Sequence, residues 1–317
     1  MITRTSPVWL PPPELLPDAR SALRGAAERQ PAPGDGLGPV PGSGAALRPG
    51  DAEPLADPRE AVYDAHFGVA RTSRDPADTL LRALLRTTAE ASAWVSAKDR
   101  AALHTALAVC GASAPAPAGA PPVPAGAPAG TATVRWRAGH RLFLALTAVT
   151  VVALRDATAR PVGRHPGPAA TRDAAVLLRA SAAAMEATAS FAPHAYETEV
   201  RPSMEPPEER DGFSGLWSAD HRALVRQLGI WGRAHAEACP AGCVPGRVLG
   251  AALADVHAAH HGICARFVGR GPSLLGTGAD ALHTLDRLAV SRGRLLRPDV
   301  APPPVPRRRE AVDHRRN

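Results

Sequence analysis

The chain has 317 residues, of which 45% are apolar and only 4% aromatic; that is enough for one large core built mainly of Leu, Val and Ala. The formal charge of +7 rests on arginine, since Lys98 is the sole lysine. Part of it sits in the stretch 307–316, and no arginine stripe interleaves with aromatics, which argues against nucleic-acid binding. No run of 18 apolar residues occurs, Met1–Leu16 lacks an apolar signal core, and four cysteines in this length do not make a disulfide framework. The expectation is a cytoplasmic protein with free, metal-bound or cofactor-bound cysteines and no membrane span.

Residues 1–58 are rich in Pro and Gly, with Pro11-Pro12-Pro13 and a Pro/Gly run over 31–50. They predict an extended, partly disordered arm with one short helix near Ala19–Arg29. A helical domain then spans 59–298. Leu80, Leu81, Leu84 and Leu85 give helical spacing to 76–110, and 111–132 is an Ala/Pro/Gly loop. Helices are predicted at about 134–158, 170–191, 218–236, 246–267 and 279–296, the third capped by Ser218 or Asp220. Pro193–Trp217 reads as a structured loop, and 299–317 as a basic disordered tail. No long alternating apolar pattern exists, so the class is all-α.

The chemistry-bearing residues gather on 246–267, within His257-Ala-Ala-His260-His261-Gly-Ile-Cys264. Steps of three and four place Leu249, Leu253, Val256, His257, His260, Cys264 and Phe267 on one face, with His261 turned about 100° away. His260 and Cys264 are one turn apart, roughly 6 Å. An imidazole and a thiol at that separation suit a heme held by its iron and by one edge vinyl, although the common C-x-x-C-H run is absent. Two other readings stand beside it. Cys239-x3-Cys243-x13-His257-x3-His261 has zinc-finger spacing, which with the basic tail would make a zinc-containing binding module. Alternatively, the polar residues are incidental on an Ala-rich helix.

The upstream segment Tyr196-Glu-Thr-Glu-Val-Arg201-Pro-Ser-Met204, followed by Gly212-Phe-Ser-Gly-Leu216 and Asp220-His221, resembles the substrate loop of histidine-ligated heme enzymes. That superfamily includes the tryptophan and indoleamine 2,3-dioxygenases and the heme-dependent tyrosine hydroxylases. Gly271-Pro-Ser-Leu-Leu-Gly276 is similar to the loop after their axial-histidine helix. His221, the interval 222–259, then His260-x3-Cys264 resembles the branch that hydroxylates 3-methyl-L-tyrosine. The resemblance covers 190–280; the stretch 1–130 carries none of it.

The resemblance implies a helical heme domain of the dioxygenase type. It makes His260 the axial iron ligand, Cys264 the single thioether of a c-type heme, and His221 the distal histidine over the open iron face. Arg201 would grip the amino-acid carboxylate, while Tyr196 and Ser214 would line the substrate pocket. The implied reaction is ring hydroxylation of 3-methyl-L-tyrosine, or a close L-tyrosine derivative, ortho to the phenol by hydrogen peroxide, in natural-product biosynthesis. The sister activities of the superfamily are L-tyrosine hydroxylation and indole-ring dioxygenation. His221 would move the peroxide proton, its tautomer held by Asp220.

Overall fold

In the computed structural model, residues 6–30, 49–113, 131–159, 161–162, 165–209, 211–239, 243–269, 271, 274 and 280–297 are described. The Ala/Pro segment 114–130, the tail beyond 297 and most of Gly271–Gly276 therefore lie outside the described residues.

The chain opens with strand β1 (Val8–Leu10), helix α1 (Arg20–Glu28), helix α2 (Pro58–Phe67) and strand β2 (Val69–Arg71). The two strands pair in parallel, Val8 opposite Val69. The expected short helix near Ala19–Arg29 is α1, but the stretch 8–28 is docked on the core rather than loose. Val8, Leu10, Leu16, Leu23 and Ala26 are all buried in the common core. Arg20 of α1 holds Asp156 at 2.7 Å and also reaches Asp173. Sparse apolar anchors among the prolines are enough, because Pro loses little further backbone freedom on folding.

The predicted helix over 76–110 is two helices, α3 (Pro76–Ala91) and α4 (Ala97–Val109); the Ser96 side chain caps the second by accepting from Asp99 N–H. Helix α5 (Thr131–Ala159) is the axis of the molecule. By length and composition it passes for a membrane span, yet 78% of its most apolar window is buried by the rest of the protein. Helix α6 (Pro168–Thr188) packs along it. Their approach is close where Gly139 meets Thr188: a Cβ there would overlap the threonine Oγ1, so only glycine fits.

The predicted loop 193–217 is ordered as short turns. Helix α7 (Pro193–Ala195) runs into a π-helical turn, Tyr196–Val200, and 3-10 turns follow at Pro202–Met204 and Gly215–Trp217. Helices α8 (Ala219–Ala238), α9 (Val244–Phe267) and α10 (Ala281–Leu296) complete the chain. Helix α8 lies on α5, α9 lies on α6, and α10 bridges α8 and α9. Although consecutive, α8 and α9 scarcely touch each other. They form a splayed hairpin whose two arms rest on different helices.

Candidate active site

The hairpin explains what the spacing between His221 and His260 accomplishes. His221 lies in the first turn of α8, far from its end at Ala238, and His260 lies two turns short of the end of α9, far from its start at Val244. At about 1.5 Å per residue, each stands about 25 Å from the connection between the helices. The two histidines are thus level across the splay, near enough that each proton on His260 disfavours one on His221. Burial lowers the His221 pKa to about 4, helped by Arg292 of α10, His260 and His257. His260 is likewise lowered to about 4, by burial and then by His257 and His261. Both imidazoles are neutral bases at neutral pH.

His260 is exposed to solvent and lines a half-open cavity of about 80 Å³. Helix α9 gives this cavity His260, Ile263, Cys264 and Phe267; α5 gives Trp136, His140 and Phe143; α6 gives Met185 and Thr188; the π turn gives Tyr196. The walls are mainly aromatic and aliphatic, and the polar groups are few, as in most small-molecule sites. Tyr196 and Phe267 stack at 4.8 Å, Phe191 continues the stack at 5.2 Å, and Trp136 meets Tyr196 edge-on at 5.7 Å. Burial pushes the Cys264 thiol up to about 11 and the Tyr196 phenol up to about 12, so both keep their protons.

Two buried nitrogens at this end, Trp136 Nε1 and His257 Nε2, have no hydrogen-bond partner among the described residues. An unpaired buried polar atom is costly, and such atoms are satisfied when a ligand supplies the missing group.

Arg201 caps the π turn beside Tyr196 and commits Nε to Glu205 Oε1 at 2.8 Å. Ser214 does not line the cavity. Its buried Oγ is unpartnered, next to Phe213, which packs on Tyr63 and His66. His261 is turned away, as its helical angle requires, and approaches Asp286 at 3.8 Å.

Sequence reasoning missed the α5 wall. Trp136-x3-His140 is the available signal, two large polar-tipped rings one turn apart ahead of the apolar stretch of the same helix. His140 Nδ1 donates to the Trp136 carbonyl at 2.8 Å, which leaves Nε2 as the acceptor, and its ring stacks on Phe67 at 4.2 Å. Burial depresses its pKa to about 3.

A family model described as SfmD 3-methyl-L-tyrosine peroxygenase matches residues 9–245. The chain belongs to this family. It is 31% identical to the 3-methyl-L-tyrosine peroxygenase of Streptomyces lavendulae over 268 residues, covering 73% of this chain and 70% of that one. A crystal structure of reduced SfmD, soaked with sodium hydrosulfite, shares its fold at a TM-score of 0.57 and 26% identity, covering 82% of this chain and 98% of the other. The family match starts at residue 9, so the N-terminal stretch up to 130 is family material, contrary to the sequence expectation. It ends two residues into α9, short of His260 and Cys264.

Two further expectations give way within this peroxygenase fold. Asp220 does not orient His221. It is fully buried and binds Arg71 through both oxygens, at 3.1 and 2.6 Å, while Arg71 also holds Asp64 at 2.7 and 3.0 Å. This cluster bolts the first turn of α8 to α2 and β2, and Ser218 provides the cap by accepting from His221 N–H. The zinc-finger ligand set also fails. Cys243 is the N-cap of α9 and His257 lies about four turns along it, about 20 Å away. His257 and His261 therefore cannot meet Cys239 and Cys243.

Proposed function

We propose that this chain is a heme-dependent peroxygenase that hydroxylates the ring of 3-methyl-L-tyrosine, or a close L-tyrosine derivative, ortho to the phenol to give a catechol. Hydrogen peroxide is the oxidant; one of its oxygens enters the ring and the other leaves as water. The single observation that carries the reading is that His260 and Cys264 face one apolar cavity side by side, with His221 level with them on the opposite arm of the hairpin.

The donors suit a heme. A neutral imidazole offers its lone pair, the aromatic walls suit a flat macrocycle, and the buried Trp136 Nε1 in the wall lacks a partner among the described residues. Bound heme supplies iron for peroxide activation and oxygen-atom transfer. His260 would hold its iron, and Cys264 would hold its edge through a single thioether.

The chain's own groups do the rest. His221 is a free base at neutral pH, so it takes the proton from peroxide and returns it to the departing oxygen. The tilt of His221 is set by the first turn of α8, which the Arg71 cluster anchors. The stacked Tyr196, Phe267 and Phe191 exclude water and present a flat surface to the substrate ring. Arg201 binds the substrate carboxylate through the guanidinium nitrogens that Glu205 leaves free, and so aims the ring. Ser214 stands outside the pocket, beside Phe213, which packs on Phe67 behind His140 of the wall.

Incubating the purified protein with peroxide and, in parallel, 3-methyl-L-tyrosine, L-tyrosine and L-tryptophan tests the reading. A catechol from the first, at the highest kcat/KM of the three, is the expected product. Ring-opened tryptophan as the dominant product overturns it.

A further inference from the structure

At the closed end of the α8–α9 hairpin lies a second histidine–cysteine cluster, about 25 Å from the first. His235 is in the last turn of α8, Cys239 is its C-cap, and Cys243 is the N-cap of α9. His235 Nε2 is 2.8 Å from Cys243 Sγ, and the donor atoms of His235, Cys239 and Cys243 all lie within 4.8 Å of one another. A fourth donor stands just outside this group, against Cys239, at a distance that metal binding would close. His165, in the connection between α5 and α6, points Nδ1 at Cys239 Sγ from 2.8 Å. A two-way backbone bridge between Val162 and His165 shapes the turn that presents it.

We infer that His165, His235, Cys239 and Cys243 form a structural zinc site. The donor set is two imidazoles and two thiols, the closed four-ligand type that holds structural Zn²⁺. Tetrahedral zinc, with Zn–S near 2.3 Å and Zn–N near 2.0–2.1 Å, separates N and S donors by about 3.5 Å, so the 2.8 Å contacts need to open by about 0.7 Å. The backbone of α9 comes close to the cluster at Gly246. A Cβ on Gly246 would lie 2.9 Å from the His235 ring and 3.6 Å from Cys243 Sγ. His235 itself is fixed by stacking on the fully buried Trp231 at 4.6 Å.

The position gives the metal a task. Helices α8 and α9 rest on α5 and α6 and scarcely touch each other, so their covalent connection is the weak point of the hairpin. A zinc held by that connection and by the α5–α6 loop clamps all four helix ends together. It fixes the splay at whose far end His221 and His260 face each other. The thiols lose their protons to the solvent as zinc binds; no oxidation or reduction takes place.

Metal analysis of the full-length protein, produced with zinc and heme precursor in the medium, tests this. About one zinc per chain is expected, counted separately from iron. Zinc-edge X-ray absorption is expected to show two sulfur and two nitrogen scatterers. Cys243→Ser should lower retained zinc at least tenfold while the Soret absorbance per chain stays within about twofold. Should that variant fail to fold, the exposed His165→Asn is expected to speed zinc loss to a chelator about tenfold or more. Absence of stoichiometric zinc, a zinc shell without sulfur, a wild-type mass lower by the two hydrogens of a Cys239–Cys243 disulfide, or unchanged zinc retention in His165→Asn would each overturn the assignment.

Discussion

The two ends of the α8–α9 hairpin use the same residue types to opposite effect. At the closed end the imidazoles of His165 and His235 each lie 2.8 Å from a sulfur, and the donor atoms of His235, Cys239 and Cys243 gather within 4.8 Å of one another. At the open end His260 and Cys264 stand side by side on one helix face and look into a cavity. Convergent donors enclose an ion; parallel donors bind something extended. The difference comes from backbone, not composition. Two helix caps and a loop can surround a point, whereas an uninterrupted helix can only present a row. The two ends should therefore lose different things when damaged.

The largest effect is expected from His260→Ala, which should reduce heme per chain below about a tenth of wild type while zinc stays bound; His235→Ala should do the reverse. Paired metal analyses check both, and loss of both metals in either variant would merge the two sites into one folding unit. Next, His221→Ala is expected to retain heme and lower kcat by about 10²–10⁴-fold, the usual worth of a positioned acid–base group. An unchanged kcat would leave the open end without its proton carrier.

Asp220→Ala should destabilise the fold by about 2–4 kcal/mol, because two charge-assisted hydrogen bonds of the buried Arg71 are lost while Asp64 still balances its charge. Denaturant midpoints measure this, and the closed end should keep its zinc until global unfolding. Gly246→Ala is a smaller and strictly local perturbation. Its methyl group presses on the His235 ring, and crowding of this kind costs about 1–3 kcal/mol.

The most gradual effect is that of pH on stability. His66 is buried and its pKa is lowered to about 4, and that of His140 to about 3. In the unfolded chain both titrate near 6.5, so below that pH the unfolded state takes up protons the folded state refuses. The unfolding midpoint should thus be level above about pH 6.5 and fall from there toward pH 4. His66→Gln should flatten part of that slope.

How much of this is legible in the sequence depends on the range of the interaction. Helix α9 can be read because its pattern is local: Leu249, Leu253, His260 and Cys264 recur at helical steps. The facing of His221 and His260 rests, in sequence, on a family spacing, and the hairpin supplies its physical reason. The Arg71–Asp64–Asp220 cluster is invisible there, since Arg71 and Asp220 are 149 positions apart and each looks like a surface charge. The N-terminal segment misleads because Pro/Gly composition masks short anchors such as Val8 and Leu10, which a parallel strand pair buries. The cysteine pair is visible, but chain spacing assigns it the wrong histidines. Spacing favours His257 and His261, while space brings His235 from the preceding turn and His165 from 74 positions away.

The most direct test of the central claim, that His260 and Cys264 form one wall of a heme pocket, is acid-acetone extraction followed by a pyridine hemochrome spectrum. The expected result is heme that stays with the wild-type protein, with a band displaced by the saturation of one vinyl group, and that becomes extractable in Cys264→Ala. Heme that extracts completely from the wild type, or a purified protein with no Soret band despite ample heme supply, would contradict it.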